Sequence, residues 1–234
     1  MHLFSERNQK ILNGIIVNKS SAGSYIFYGQ SGSFIFEAAE YFAQGLNCLS
    51  FKDQPCTVCD NCISIQNRSF PDFVKIEVAD KIKIEQVRQV QEIVKYGPAQ
   101  GSYLCVIIPD AQNFTQGAAN ALLKTLEEPP ANVIFILLTN NLLALLPTIR
   151  SRSQQLDFPS VSYEKLAMHL EKNYPEKEKI LAQCHHNQEF VKYFLENNEY
   201  IDMENISFTE LKNHTVQDRL NLAGNLAKNK KQGL

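Results

Sequence analysis

Ser24-Tyr-Ile-Phe-Tyr28-Gly29-Gln-Ser-Gly32-Ser-Phe34-Ile35-Phe36 decides the fold of this chain. The first five residues are a β-branched and aromatic run that stops at Gly29, the signature of a buried strand ending at a glycine turn. Phe34, Ala38, Ala39, Tyr41, Phe42 and Leu46 then recur at helical spacing, so the unit reads strand, loop, helix. A phosphate loop occurs in this setting, but its chemistry is missing. Gly-x4-Gly-Lys-[Ser/Thr] cradles phosphates on backbone amides, neutralises them with lysine and holds magnesium by the hydroxyl. Counted from Gly29, Phe34 stands for the second glycine, Ile35 for the lysine and Phe36 for the hydroxyl. Bulky apolar groups there exclude a phosphate and offer it no charge-assisted bond. The alternative is a strand-loop-helix unrelated to phosphate loops.

Working outward, the same pattern recurs as Asp72–Val78 with Ile84–Tyr96, Tyr103–Ile108 with Gln116–Glu128, and Val133–Leu138 with a short helix over Leu142–Leu146. Gln154–Phe158 is a last strand, and Ile11, Leu12, Ile15 and Ile16 form one face of a helix before the first strand. Apolar strands alternating with helices predict an α/β fold with a parallel sheet covered on both faces. Pro129-Pro130 ends the third of the recurring helices by removing amide donors. After Pro159 the strand signal gives way to charged helical text, with Ser162 as a cap, Leu166 and Leu170 on one face, and further helices near 176–198 and 208–231. The expected domains are 1–159, 160–207 and 208–234.

A second, independent test, of the magnesium-binding carboxylate, agrees with the loss of the phosphate loop. P-loop ATPases deliver an aspartate to magnesium from an apolar strand. Here the strand Tyr103–Ile108 leads to Pro109-Asp110, which leaves proline at the ligand position and a shorter carboxylate at that of the base.

Cys48, Cys56, Cys59 and Cys62 fall within fifteen positions. Paired Cys-x2-Cys steps bring thiolates together from tight turns, and four thiolates complete the tetrahedral shell that zinc prefers. A closed shell has no open position, so the expected Zn2+ is structural and organises a loop too short for its own core. Four unrelated cysteines or a redox pair are the alternatives. Cys105, inside an apolar strand, and Cys184 read as core or incidental thiols.

The 234 residues are 44% hydrophobic and carry 23 Lys+Arg against 25 Asp+Glu, a net charge of −2. That composition excludes a disordered chain and an autonomous polyanion binder acting by phosphate neutralisation. No apolar run exceeds six residues, far below the ~18 of a membrane helix. The polar N-terminus lacks a signal-peptide core, and the expected location is cytoplasmic, a compartment where clustered cysteines point to metal.

Ala119-Asn-Ala-Leu-Leu-Lys-Thr-Leu-Glu-Glu-Pro-Pro130, the cysteine cluster after Leu46-Asn47, and Thr148-Ile-Arg-Ser-Arg-Ser153 together resemble the bacterial clamp-loader family, and within it the delta-prime type of DNA polymerase III subunit. The resemblance spans nearly the whole chain. It implies an AAA+ domain with an inserted zinc module, a small all-helical lid, and the start of a helical collar, as in a shortened member or a fragment. It also implies a scaffold without intrinsic ATPase activity, a part of the DNA-directed DNA polymerase (nucleotidyltransferase) holoenzyme that binds no ATP itself. Its partners would be the tau/gamma ATPase and delta subunits, with the sliding clamp and primed DNA met through the assembled complex, and no membrane. Ser151, Arg152 and Ser153 match the family's Ser-Arg-Cys motif with serine at the third position, which makes Arg152 an arginine finger acting in trans on a neighbour's ATP site. Such fingers contribute roughly 10³–10⁵ in rate. No catalytic residue acts in cis.

Other polar residues have plainer readings. Arg150 is a neighbouring structural or interface charge, and Thr139-Asn140-Asn141 stands where the family's ATPases place a sensor but otherwise shapes a turn. Lys124, Glu127 and Glu128 read as solvated charges beside the apolar Leu122, Leu123 and Leu126, with an intersubunit contact as the minority alternative. His185, His186, Lys228, Lys230 and Lys231 read as surface. The competing functions are a tau/gamma-type ATPase with a nonstandard loop and a stand-alone zinc-dependent nucleic-acid binder.

Overall fold

Strands rich in Ile, Val, Leu and Phe have too much apolar surface for one-sided burial, and with the more polar edge strand Gln154–Asp157 they form a wholly parallel sheet. In the computed structural model they are β1 (Ser24–Tyr28), β2 (Phe73–Lys75), β3 (Leu104–Ile108), β4 (Val133–Thr139) and β5 (Gln154–Asp157), in the spatial order β2-β3-β4-β1-β5. The structure describes residues 2–18, 23–30, 33–78, 80–162, 164–166 and 168–169. The chain divides into a unit His2–Ser160 and a second unit over Val161–Leu234 with Met1. In the second unit Ser162 Oγ accepts from the Lys165 amide at 3.4 Å, the local geometry of a cap. The expected lid and collar helices, Leu170, Cys184, His185, His186, Lys228, Lys230 and Lys231 lie outside the described residues.

The helices described are α1 (Glu6–Val17), α2 (Ile35–Asn47), α3 (Asp60–Gln66), α4 (Ile84–Val94), α5 (Gln116–Glu127) and α6 (Pro147–Arg150). Side chains alternate across a strand, so each strand contributes to two cores. Ile26, Val106, Ile108, Phe135 and Leu137 pack on one face with Val87 and Val90 of α4 and Leu122 and Leu126 of α5. On the other face Tyr25 and Phe27 meet Phe42 of α2 at ring-centroid distances of 5.1 and 6.2 Å, and Phe27 meets Phe158 at 4.9 Å. Ser5 and Thr115 cap α1 and α5 by accepting from Asn8 and Ala118.

Two elements depart from the sequence reading. The expected strand Asp72–Val78 holds only Phe73–Lys75. It is an edge strand with β3 alone as neighbour, the Asp72 side chain is committed to a loop, and after Ile76 the chain leaves the sheet. The short helix expected over Leu142–Leu146 is a 3₁₀ turn, Leu142–Ala144, followed by α6. Pro147 explains the offset, because a residue with no amide proton suits the first position of a helix.

Candidate functional site

Parallel strands bring the loops after β1, β3 and β4 to one edge of the sheet, where α/β proteins bind ligands. Gly29 opens the first loop, and a Cβ there would lie 2.4 Å from both Phe158 O and Ser33 Oγ, so only glycine fits. Gly32 lies outside the described residues. Phe34 caps α2 in the left-handed region (φ 55°, ψ 42°), with no side-chain hydrogen bond to the helix start, and it is buried. Ile35 and Phe36 fill the first turn, and the Phe36 ring has the cations of Arg68 and Lys75 at 5.2 and 5.3 Å from its centroid. This turn is closed by hydrocarbon where a phosphate loop presents amides and a lysine.

At the neighbouring strand ends Asp110 is also left-handed (φ 47°). Its Oδ1 accepts from the Gln112 amide at 3.2 Å, and Gln112 Oε1 accepts from the buried Thr139 hydroxyl at 2.7 Å. Thr139 Oγ1 also accepts from the Asn141 amide at 3.1 Å, so the residue expected as a sensor or a turn former does shape its turn. Gln112, with no motif around it, was invisible in the sequence.

One turn further into α2 is an ion pair between half-buried Glu40 and exposed Arg68. Glu40 lies 3.6 Å from Arg68, yet burial outweighs that guanidinium and, with Glu37 adding repulsion, raises the carboxyl from 4.5 to about 7.

The four cysteines converge. The sulfurs of Cys48, Cys56, Cys59 and Cys62 lie within 4.8 Å of one another, against edges of about 3.8 Å for a tetrahedron with 2.3 Å metal–sulfur bonds. Backbone amides already point at them: Cys56 N donates to Cys48 Sγ and Cys59 N to Cys56 Sγ, both at 3.3 Å. Burial pushes the Cys59 thiol up, but hydrogen bonds from the Leu49 and Cys62 amides and the neighbouring thiols outweigh it and lower it to about 6. Burial raises Cys62 and Cys48, so a thiolate forms most readily at Cys59. The donor set fits a thiophilic metal ion, four ligands with no position left for water. Cys105 lies apart in β3 and is fully buried, which raises its thiol.

Buried amides fasten this cluster to the sheet. Asn47, the last residue of α2, donates to Tyr103 O at 3.1 Å and accepts from Tyr103 N at 2.9 Å, while Asn61 donates to Asn47 O at 2.9 Å. Gln44 donates to Cys62 O at 3.1 Å. Asn47 borders the cysteine motif and Asn61 is a spacer within it, while Gln44 belongs to no recognisable motif.

Arg152 follows α6. Its Nε and Nη2 reach Glu127 Oε1 at 2.7 and 2.6 Å, and its Nη1 donates to Thr148 O at 3.0 Å and Ser151 Oγ at 3.2 Å. Glu127 is exposed, as expected of a solvated charge, and it is also paired, with a partner 25 positions away and beyond the reach of helix periodicity. Arg150 has its Nε buried without a hydrogen-bond partner, and its carbonyl accepts from Gln155 at 2.9 Å.

The family model described as DNA polymerase III, delta subunit, matches residues 5–162. The chain belongs to this DNA polymerase III delta-subunit family. Among its relatives, DNA polymerase III subunit tau of Bacillus subtilis is 34% identical over 168 residues, 71% of this chain and 30% of that protein. Subunit tau of Escherichia coli is 37% identical over 149 residues, 63% of this chain and 23% of its own length. This delta-subunit family member thus spans less than a third of these curated relatives. A gamma subunit-related protein of Thermotoga maritima superposes with a TM-score of 0.58 at 24% identity, covering 80% of this chain and 58% of that one. The shared fold is the α/β domain of clamp-loader AAA+ proteins, carrying here a four-cysteine cluster. Among the described residues no helix is long and apolar enough to cross a membrane.

Proposed function

We propose that the chain is a non-hydrolysing clamp-loader subunit of delta-prime type, a scaffold that lends Arg152 to the ATP site of an adjacent tau/gamma ATPase. In this reading the ring it forms with that subunit and delta opens a sliding clamp and loads it on primed DNA. The observation that carries the reading is the first turn of α2. Phe34, Ile35 and Phe36 occupy the three positions where a nucleotide loop needs glycine, lysine and a hydroxyl, and Phe34 is buried at the left-handed cap of α2. A phosphate brought there would meet apolar side chains in place of the lysine and hydroxyl that a nucleotide loop supplies, and would lose hydration without those partners. The four cysteines are its structural Zn2+ site, with about one equivalent expected by metal analysis.

Calorimetric titration with Mg-ATP should show no binding to the purified chain, and micromolar affinity would sink the reading. In a clamp loader reconstituted with the full-length protein, Arg152→Ala should lower ATP hydrolysis while leaving assembly intact. A tau/gamma-type ATPase with a nonstandard loop is the second reading, favoured by the tau and gamma names of the relatives. The same titration separates the two.

A further inference from the structure

Four of the five N–H donors of Arg152 are engaged on its own chain. The Nε–Nη2 edge, the one a guanidinium uses for bidentate contact with carboxylates and phosphates, is taken by Glu127 Oε1 at 2.7 and 2.6 Å. The remaining nitrogen, Nη1, is spent on Thr148 O and Ser151 Oγ at the end of α6. A phosphoryl oxygen can meet the bidentate edge only by displacing the carboxylate.

Both members of this pair are hung on the start of β1. The Ser24 hydroxyl donates to Arg152 O at 2.7 Å, which holds the arginine's backbone. Gly23 lies against the ring of Pro129, where a Cβ would come to 2.1 Å of Cγ, so the exit of α5, two residues past Glu127, docks flat on the same segment. The side chains of Arg152 and Glu127 are 34% and 47% exposed. An ion pair that exposed contributes little to folding, and water screens it enough to be exchanged.

We propose that Glu127 is a positioning residue for Arg152: its carboxylate holds the guanidinium on its own chain and yields it in exchange for a phosphoryl oxygen of the neighbouring subunit's nucleotide. The inference rests on the trans role proposed above. Glu127 acts as a competitor of modest strength, so ATP must displace it before the finger engages. At saturating ATP the carboxylate has been displaced and has no further influence. Its effect therefore falls on the apparent affinity for ATP, reduced by the fraction of fingers free to engage.

The test uses a clamp loader reconstituted from the full-length protein and its ATPase partner, with ATP hydrolysis followed against ATP concentration. Glu127→Gln should lower KM about two- to fivefold with kcat within twofold, and the difference should shrink as salt is raised from about 0.05 to 0.5 M. A KM unchanged or raised, or a kcat moved more than twofold, overturns the inference. Arg152→Ala with normal hydrolysis overturns the trans role itself. The pair is then judged on the full chain alone, by phenylglyoxal modification of Arg152 mapped by mass spectrometry. Glu127→Gln should speed that modification severalfold, and equal rates mean that Glu127 does not hold the guanidinium.

Discussion

Two carboxylates in this fold show opposite solutions to burial. Asp72 sits at the start of β2, and its oxygens accept from the amides of Ala99, Gln100 and Gly101 at 2.6 to 2.7 Å. Three donors converge on one charge, and hydrogen bonds to an ionised group contribute about 1.5–3 kcal/mol each. Asp72→Asn replaces an acceptor-only group by one that aims an NH2 at those amides. It should cost about 2–3 kcal/mol in urea unfolding, and a loss under 0.5 kcal/mol would contradict the account. Glu40 has one distant guanidinium and little water, so its folded-state pKa of about 7 lies above the unfolded 4.5. A carboxyl raised in this way stabilises the fold fully below the unfolded value and loses that contribution as pH climbs through about 7. The loss is on the order of 3 kcal/mol. Glu40→Gln should therefore raise the melting temperature at pH 8 and leave it nearly unchanged near pH 4.5, and an equal effect at the two pH values would count against it.

At the scale of elements, α2 carries both ends of the candidate site: Phe34 at its cap, and Asn47 at its last turn holding the cysteine module to β3. The module's one helix, α3, buries Cys62 and Ile65, and Cys62 is itself a ligand candidate. A segment that buries so little apolar surface would depend for its order on a metal held by the four thiols. Chelation should expose residues 48–66 to proteolysis and rapid amide exchange while the sheet strands stay protected. Equal protection of the module with and without metal would show that it is held by Asn47 and Asn61 alone.

For the molecule as a whole, the parallel sheet and its helices were legible because periodic apolar text reports local geometry: β1 and the central strands lie where their Ile, Val, Phe and Leu runs do. The convergence of the four cysteines was legible for a similar reason, since Cys-x2-Cys spacing is itself a geometry. The Arg152–Glu127 pair, the Asp72 cradle and the burial of Glu40 were not. Each joins residues brought together only by helices packing on the sheet, and the polar letters in them look like surface letters. The edge strand β2 fell short of its pattern because one neighbour supplies half the hydrogen bonds of two. The unit His2–Ser160 has apolar cores on both faces of its sheet. A chain ended after Ser160 should melt cooperatively within a few degrees of the full chain, and a broad, non-cooperative melt would deny its independence.

Gly23 has a consequence for how such a protein drifts over generations. Its missing side chain touches neither the metal ligands nor the arginine, and no motif marks it. Yet any larger residue there must push Pro129 aside and with it the helix end that carries Glu127. If the exchange proposed for Glu127 and Arg152 holds, substitution at this inconspicuous position would shift that pair while sparing every residue a motif search inspects.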